Sequence, residues 1–313
     1  EEKLDPHLEQ QAREVFLKLE QNDPHYIDLW QWFKSESMKE FNAMYALLNV
    51  TFESNDGESF YNDKMDAAIQ ELEEKNLLKV DEGATIVDLG DDIPPALIKK
   101  SDGATLYMTR DLAAILYRHR HYITDTMLYV VGNEQMLHFK QLKTLTDRMG
   151  YHFNVIHIGF GLVMIDGKKM STRGGKFKRL EEVINQAIND ARTSIEEKNP
   201  NLENKDQVAR AVGIGAIIFN DLKNERHLNV DFNLENMLKF EGQTGPYLQY
   251  TGVRMRSILK GWTIDHQKVN PMYFTEDHYF EIIKLLAQFP TMLERAKEAH
   301  MPSVIARYLL NLA

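Results

Sequence analysis

The sequence predicts an α/β protein, with a parallel sheet in its first part and a purely helical second part. Three observations predict it. Met127 to Val131 and Val155 to Ile165 are apolar runs of strand length. The stretch between them, Gln135 to Met149, repeats its apolar residues at three and four, and a strand–helix–strand succession of this kind sets its two strands parallel. Beyond Leu180 the apolar spacing is helical throughout.

The elements can be justified in order. In Asp5 to Leu19 and Tyr26 to Leu48, residues such as Val15, Phe16 and Leu19, then Leu29, Trp32 and Phe33, share one helical face, and Asn22-Asp23-Pro24 breaks the two helices. Val50-Thr51-Phe52 is expected to be a short strand and Asn55-Asp56-Gly57 a turn. Ser59 to Lys75 is expected to be helical, and Ile86 to Leu89 belongs to a Gly- and Asp-bearing insertion. Thr109 to His121 forms the next helix. Leu180 to Glu197 and Val208 to Leu222 follow as helices, the second with Gly213 and Gly215 permitting close helix contact. Lys198 to Asn201 and Gly261 to Pro271 read as linkers.

Composition narrows the function classes. A chain of 313 residues suffices for two or three domains. No apolar run approaches the ~18 residues that span a bilayer, and the first residues lack the basic cap and apolar centre of a signal sequence. Cysteine is absent, which permits any compartment; a soluble cytoplasmic protein fits. A net charge of −10 disfavours indiscriminate nucleic-acid binding but leaves room for RNA on a local basic face.

The stretch from Gly167 to Gly175 carries the chemistry. It follows the apolar run ending at Ile165, and six basic residues lie between Lys168 and Arg179, with the Ser171 and Thr172 hydroxyls among them. A cationic, glycine-flanked loop of this kind stabilises charge on a departing triphosphate; the alternative is a solvated basic turn. A Walker loop is excluded, because Gly161 and Gly167 are separated by five residues and Lys168 is followed by lysine. A dinucleotide fingerprint is excluded because Gly159-Phe160-Gly161 runs on into a strand without a third glycine at the required offset.

Lys169-Met170-Ser171-Thr172-Arg173 resembles the KMSKS loop of class I aminoacyl-tRNA synthetases, in the variant found in arginyl-tRNA synthetases. Lys99 to Ala114 and Phe240 to Thr251 are similar to two further segments of that family, in the same order on either side of the loop. The resemblance runs from Gly57 onward. It implies a partial Rossmann-like sheet followed by an α-helical tRNA-binding region. Residues 1–197 would be the second part of the catalytic nucleotide-binding domain, with a surface insertion near 53–98. Residues 198–260 would link it to an anticodon-binding bundle that starts within 261–313.

The resemblance also implies an activity: arginine and ATP give arginyl-adenylate and pyrophosphate, and the arginyl group passes to the 3′ end of tRNA. Tyr107, Asp111 and Gln135 would line the arginine pocket. Tyr107 and Asp111, four apart, share a face if the helix starts by Tyr107, and a carboxylate matches the guanidinium fork. Arg110 and Arg118 are alternative partners for Asp111, and an intrahelical pair or cap is its bland reading. His138 is placed on the nucleotide side, with a capping or core role as the alternative. Gly159, Gly161 and Val163 would form a platform beside adenine, or else a bulge or tightly packed strand. Lys169, assisted by Ser171 and Arg173, would act on the triphosphate, with Lys168 and Met170 beside it. Magnesium would arrive with ATP, and no protein-bound transition metal is expected, His119 and His121 suiting an exposed helix end. Tyr247, Gln249 and Tyr250 would meet tRNA, or serve as core at a helix start. A monomer is expected.

Two departures matter. Thr172 stands where the general class has lysine, and the HIGH motif is absent, since His157-Ile158-Gly159-Phe160 imitates it on the strand just before the loop and not on an early helix. The chain opens on Glu1 with a helix and ends inside an apolar helical pattern, so it reads as a portion of a synthetase that would not activate arginine alone. A different class I synthetase or nucleotidyl transferase would share the loop and ATP without the other two blocks. A non-enzymatic tRNA-binding or regulatory paralogue is the alternative of another kind.

Overall fold

The computed structural model describes residues 6–21, 23–122, 124–165, 167–169, 179–263 and 265–313. Two compact units result, 1–55 and 56–313. In the first, helix α1 (Pro6–Glu20) is followed by α2 (Pro24–Leu48). Asp23 caps α2, its carboxylate accepting from the His25 amide at 3.0 Å with Pro24 in the first turn. Val50 to Phe52 does not form the expected strand. Asn49 ends α2 in the left-handed region at φ 57°, and the Val50 amide turns back to the Tyr45 carbonyl at 2.8 Å, so the chain there closes a helix cap instead of extending.

The second unit opens with a 3₁₀ turn, Glu58–Lys64, that runs into α3 (Met65–Glu74), in place of the single helix expected there. The insertion is an antiparallel meander of β1 (Leu78–Asp81), β2 (Ala84–Val87) and β3 (Ala96–Lys99). Glu82 and Gly83, both at positive φ, make the tight two-residue hairpin that joins β1 to β2.

Next come α4 (Tyr107–Tyr122), β4 (Thr126–Gly132), α5 (Met136–Arg148) and β5 (Asn154–Phe160). β4 and β5 pair in parallel from Thr126 with Asn154 to Gly132 with Phe160, as the strand–helix–strand pattern required. Leu72, Ile98, Leu112, Ile115, Leu116, Leu142 and Leu145, all fully buried, form the core that binds α3, α4, α5 and the meander. Inside it the Thr109 hydroxyl donates to the Ile98 carbonyl, tying the start of α4 to β3. β4 carries the apolar run Met127 to Val131, yet Leu128 and Val130 are 49% and 64% exposed, so its two faces differ.

The single strand expected over Val155 to Ile165 is broken at Gly161-Leu162 into β5 and β6 (Val163–Ile165). β6 turns antiparallel into β7 (Lys168–Lys169) and pairs in parallel with β8 (Val230–Asp231), which interrupts the region expected to be purely helical. Between β7 and β8 lie α6 (Leu180–Lys198) and α7 (Lys205–Leu222), and after β8 come α8 (Leu234–Met237), α9 (Gly245–Leu259), α10 (Asp277–Ala287), α11 (Phe289–Ala299) and α12 (Pro302–Leu312). A Cβ on Gly213 would stand 2.8 Å from the Ala187 backbone of α6, so the expected close contact is real. We expect Gly213→Val to lower stability by about 1–3 kcal/mol, the usual cost of overpacking, seen as a lower urea midpoint.

Candidate active site

The amino-terminal end of α4 is set by the turn before it. Lys99 bridges to Thr105, and the Asp102 carboxylate accepts from the Ala104 amide at 3.0 Å, which closes the turn and starts the helix at Tyr107. Tyr107 and Asp111 therefore lie one turn apart on a continuous helix. Tyr107 is 67% exposed, and Gln135, which closes the short 3₁₀ turn Asn133–Gln135 after β4, is exposed as well.

The structure brings Asp111 and His138 together. His138, in the first turn of α5, donates through Nε2 to Asp111 Oδ2 at 2.6 Å. Neither arginine offered as an alternative hydrogen-bonds to that carboxylate. Arg110 turns to Glu58 at 3.0 Å and Asn62 at 3.2 Å, and Arg118 donates to the Tyr129 hydroxyl at 3.1 Å. Burial raises the Tyr129 phenol above its usual range, an effect partly offset by Arg118. The Arg118 guanidinium is thus committed to the Tyr129 phenol, and among the described residues Asp111 Oδ1 has no protein donor.

On the neighbouring strands, the His157 ring stacks on Phe139 at 5.4 Å and 7° and lies 3.2 Å from the Gly132 carbonyl, which accounts for the HIGH-like spelling by packing. A Cβ on Gly159 would meet the Asn133 side chain at 2.6 Å, and one on Gly161 would meet the Leu228 carbonyl at 2.2 Å. The contact at Gly161 is with backbone and requires glycine, whereas that at Gly159 is with side chains. Val163, Lys168 and Lys169 are exposed, and β7 is held to β6 by the pairs Met164 with Lys169 and Ile165 with Lys168. Gly167, at φ 70°, makes the turn between them. Met170, Ser171 and Arg173, with Thr172, lie outside the described residues.

Sequence reasoning passed over the residues that support these strands. Asn229 Oδ1 accepts from the Leu162 amide at 2.8 Å and Asp231 Oδ1 from the Gly167 amide at 3.1 Å, while Asn133 donates to the His227 carbonyl at 2.9 Å. Their signal was the alternation of Leu228, Val230 and Phe232 with Asn229, Asp231 and Asn233, a strand period between two helical stretches.

At α9, Thr244 caps the helix by accepting from the Tyr247 amide at 3.2 Å, with Pro246 in its first turn. Gln249 donates to the Ala211 carbonyl at 3.0 Å, binding α9 to α7, whereas Tyr250 is 51% exposed. Among the described residues no helix is long and apolar enough to cross a membrane.

Residues 1–234 match the family model for the catalytic domain of class I (R) tRNA synthetases. The chain belongs to that family. Residues 248–313 match the DALR anticodon binding domain. The arginine–tRNA ligase of an Exiguobacterium species is 50% identical over 317 residues, spanning 100% of this chain and 56% of the relative. That of Streptococcus uberis is 51% identical over 311 residues, spanning 98% and 55%. The chain therefore spans about half the length of these relatives. Among solved structures, the Plasmodium falciparum arginyl-tRNA synthetase superposes with a TM-score of 0.83 at 25% identity, covering 97% of this chain and 53% of its own. The Thermus thermophilus enzyme shares the fold, with a TM-score of 0.78 at 22% identity over 100% of this chain and 61% of its own.

Proposed function

We propose that these residues form part of an arginine–tRNA ligase that activates L-arginine with ATP and transfers it to tRNA. The observation that carries this reading is Asp111, a carboxylate one helical turn from Tyr107, fixed through one oxygen by His138 and, among the described residues, open at the other. A carboxylate so oriented suits a guanidinium, whose planar fork demands a defined acceptor geometry that the point charge of lysine does not. Tyr107 and Gln135 would contribute a phenol and an amide from the adjoining surfaces.

Lys168 and Lys169 would meet the triphosphate, with Met170, Ser171 and Arg173 continuing the KMSKS-type loop and His138, Gly159, Gly161 and Val163 near the nucleotide. The chemistry asks for positioning and charge. The arginine carboxylate attacks the α-phosphorus, the bond to the bridging oxygen breaks, and the negative charge leaves with pyrophosphate, which lysine ammonium groups stabilise. Magnesium would enter with ATP, bound chiefly by phosphate oxygens and water. Exposed Tyr250, with Tyr247 and Gln249 on the same helix, would contribute to tRNA contact within a cytoplasmic enzyme.

The test is charging of unfractionated tRNA with arginine, and with lysine as control, by a form extended to the length of the relatives. Arginine-specific charging is expected. Charging with another amino acid, or tRNA binding without charging, would overturn the reading.

A further inference from the structure

We propose that Glu225 to Asp231 is a positioning strap for the phosphate-binding strand pair, and that Arg226 ties this pair to the carboxyl-terminal helices. The inference rests on the ligase reading for what the strands bind, but not for the mechanics. The strap grips the β6–β7 hairpin at both ends. At its entry the Gly161 amide donates to the Arg226 carbonyl at 2.8 Å, and the Leu162 amide to Asn229 Oδ1 at 2.8 Å. Along β6 the Val230 amide reaches the Leu162 carbonyl at 2.9 Å and the Phe232 amide the Met164 carbonyl at 2.8 Å. At the turn, Asp231 Oδ1 holds the Gly167 amide immediately before Lys168. Any slip of the strap would therefore shift both lysines.

Arg226 extends this grip in two directions. One arm of its guanidinium donates to the Gly159 carbonyl at the end of β5, and Nε donates at 3.1 Å to the carbonyl of His300, the left-handed residue that ends α11. Glu225 adds a pair with Arg307 of α12 at 3.0 Å. Asn133, two residues before Gln135, holds the His227 carbonyl. One short segment thus touches the turn that carries Gln135, the strand that carries Gly159, the hairpin that carries Lys168 and Lys169, and the α11–α12 junction. The two carbonyls are met by different nitrogens of one guanidinium, Nε and Nη1, a spread that the single ammonium of lysine does not reproduce.

Two readouts test this. In the 313-residue chain, amide hydrogen exchange at Gly161, Leu162 and Gly167 should quicken about tenfold in Arg226→Lys and Asp231→Ala, while the buried amides of α6 and α7 keep their protection. Asp231→Asn, which retains the Oδ1 acceptor, should restore the slow exchange at Gly167. In the extended enzyme, Arg226→Lys should raise the KM for ATP about tenfold with a smaller change in the KM for arginine, measured by pyrophosphate exchange in the presence of tRNA. Unaltered exchange at the three amides, or Asp231→Asn behaving as Asp231→Ala, overturns the strap. A wild-type enzyme silent toward arginine would instead overturn the ligase reading, leaving the exchange data to decide the strap. If Arg226→Lys loses protection throughout α6 and α7, Asp231→Ala decides.

Discussion

Asp111→Asn is expected to lower kcat/KM for arginine by about 10²–10⁴, the usual consequence of removing one member of a hydrogen-bonded charge pair. The substitution keeps the side-chain volume, and α4 is anchored by the fully buried Leu112, Ile115 and Leu116, so the fold should survive. What changes is charge: the guanidinium would face a neutral amide, one end of which is a donor that repels it. His138 Nε2 loses its carboxylate partner at the same time. The comparison that isolates the effect is His138→Asn, which leaves the Asp111 charge in place but unanchored. It should cost less, about tenfold, and mainly through the KM for arginine, because orientation is lost but attraction is kept. Steady-state pyrophosphate exchange in the extended enzyme measures both. Equal, small effects of the two variants would show that Asp111 does not meet the guanidinium.

That pairing was half legible in the sequence. The one-turn spacing of Tyr107 and Asp111 is a property of helical periodicity, so it followed once the helix was seen to begin at Tyr107. The partner of Asp111 was not legible. Arg110 and Arg118 are nearer in sequence, but Arg110 faces Glu58 and Arg118 faces Tyr129, whereas His138 arrives from the next helix. Contacts between residues far apart in sequence leave no local spacing to read. The same limit governs the rest of the fold. The parallel β4–β5 pair and the α6–α7 contact at Gly213 follow from apolar period and glycine placement within single segments. β8 was legible and missed, since Leu228, Val230 and Phe232 alternate with Asn229, Asp231 and Asn233; only its pairing with β6 across two intervening helices leaves no local spacing to read. Val50 to Phe52 erred in the opposite direction: its β-branched and aromatic residues favour a strand, but the left-handed Asn49 cap commits the Val50 amide to Tyr45 and leaves no partner strand.

Gly161→Ala is expected to damage the nucleotide side through the strap and not through contact with the base. A methyl group there would lie 2.2 Å from the Leu228 carbonyl oxygen and 2.8 Å from the Asn229 nitrogen, both backbone atoms that no rotamer change can move aside. The strap must retreat or the β5–β6 junction must distort, and either movement strains the bonds from Gly161 to Arg226 and from Leu162 to Asn229. We expect a stability loss of about 1–3 kcal/mol with faster exchange at the Leu162 and Gly167 amides. The KM for ATP should rise in the same variant, because Lys168 follows Gly167 directly. Gly57→Ala, at a glycine with nothing within 4 Å and a φ of −75°, is the neutral control. If Gly161 were instead a glycine because a flat base lies against it, the alanine would raise the KM for ATP while stability and amide exchange in the unliganded chain stayed as in the wild type. The unliganded measurement therefore separates the two explanations, since the Leu228 carbonyl is present whether or not nucleotide is bound and a base is not.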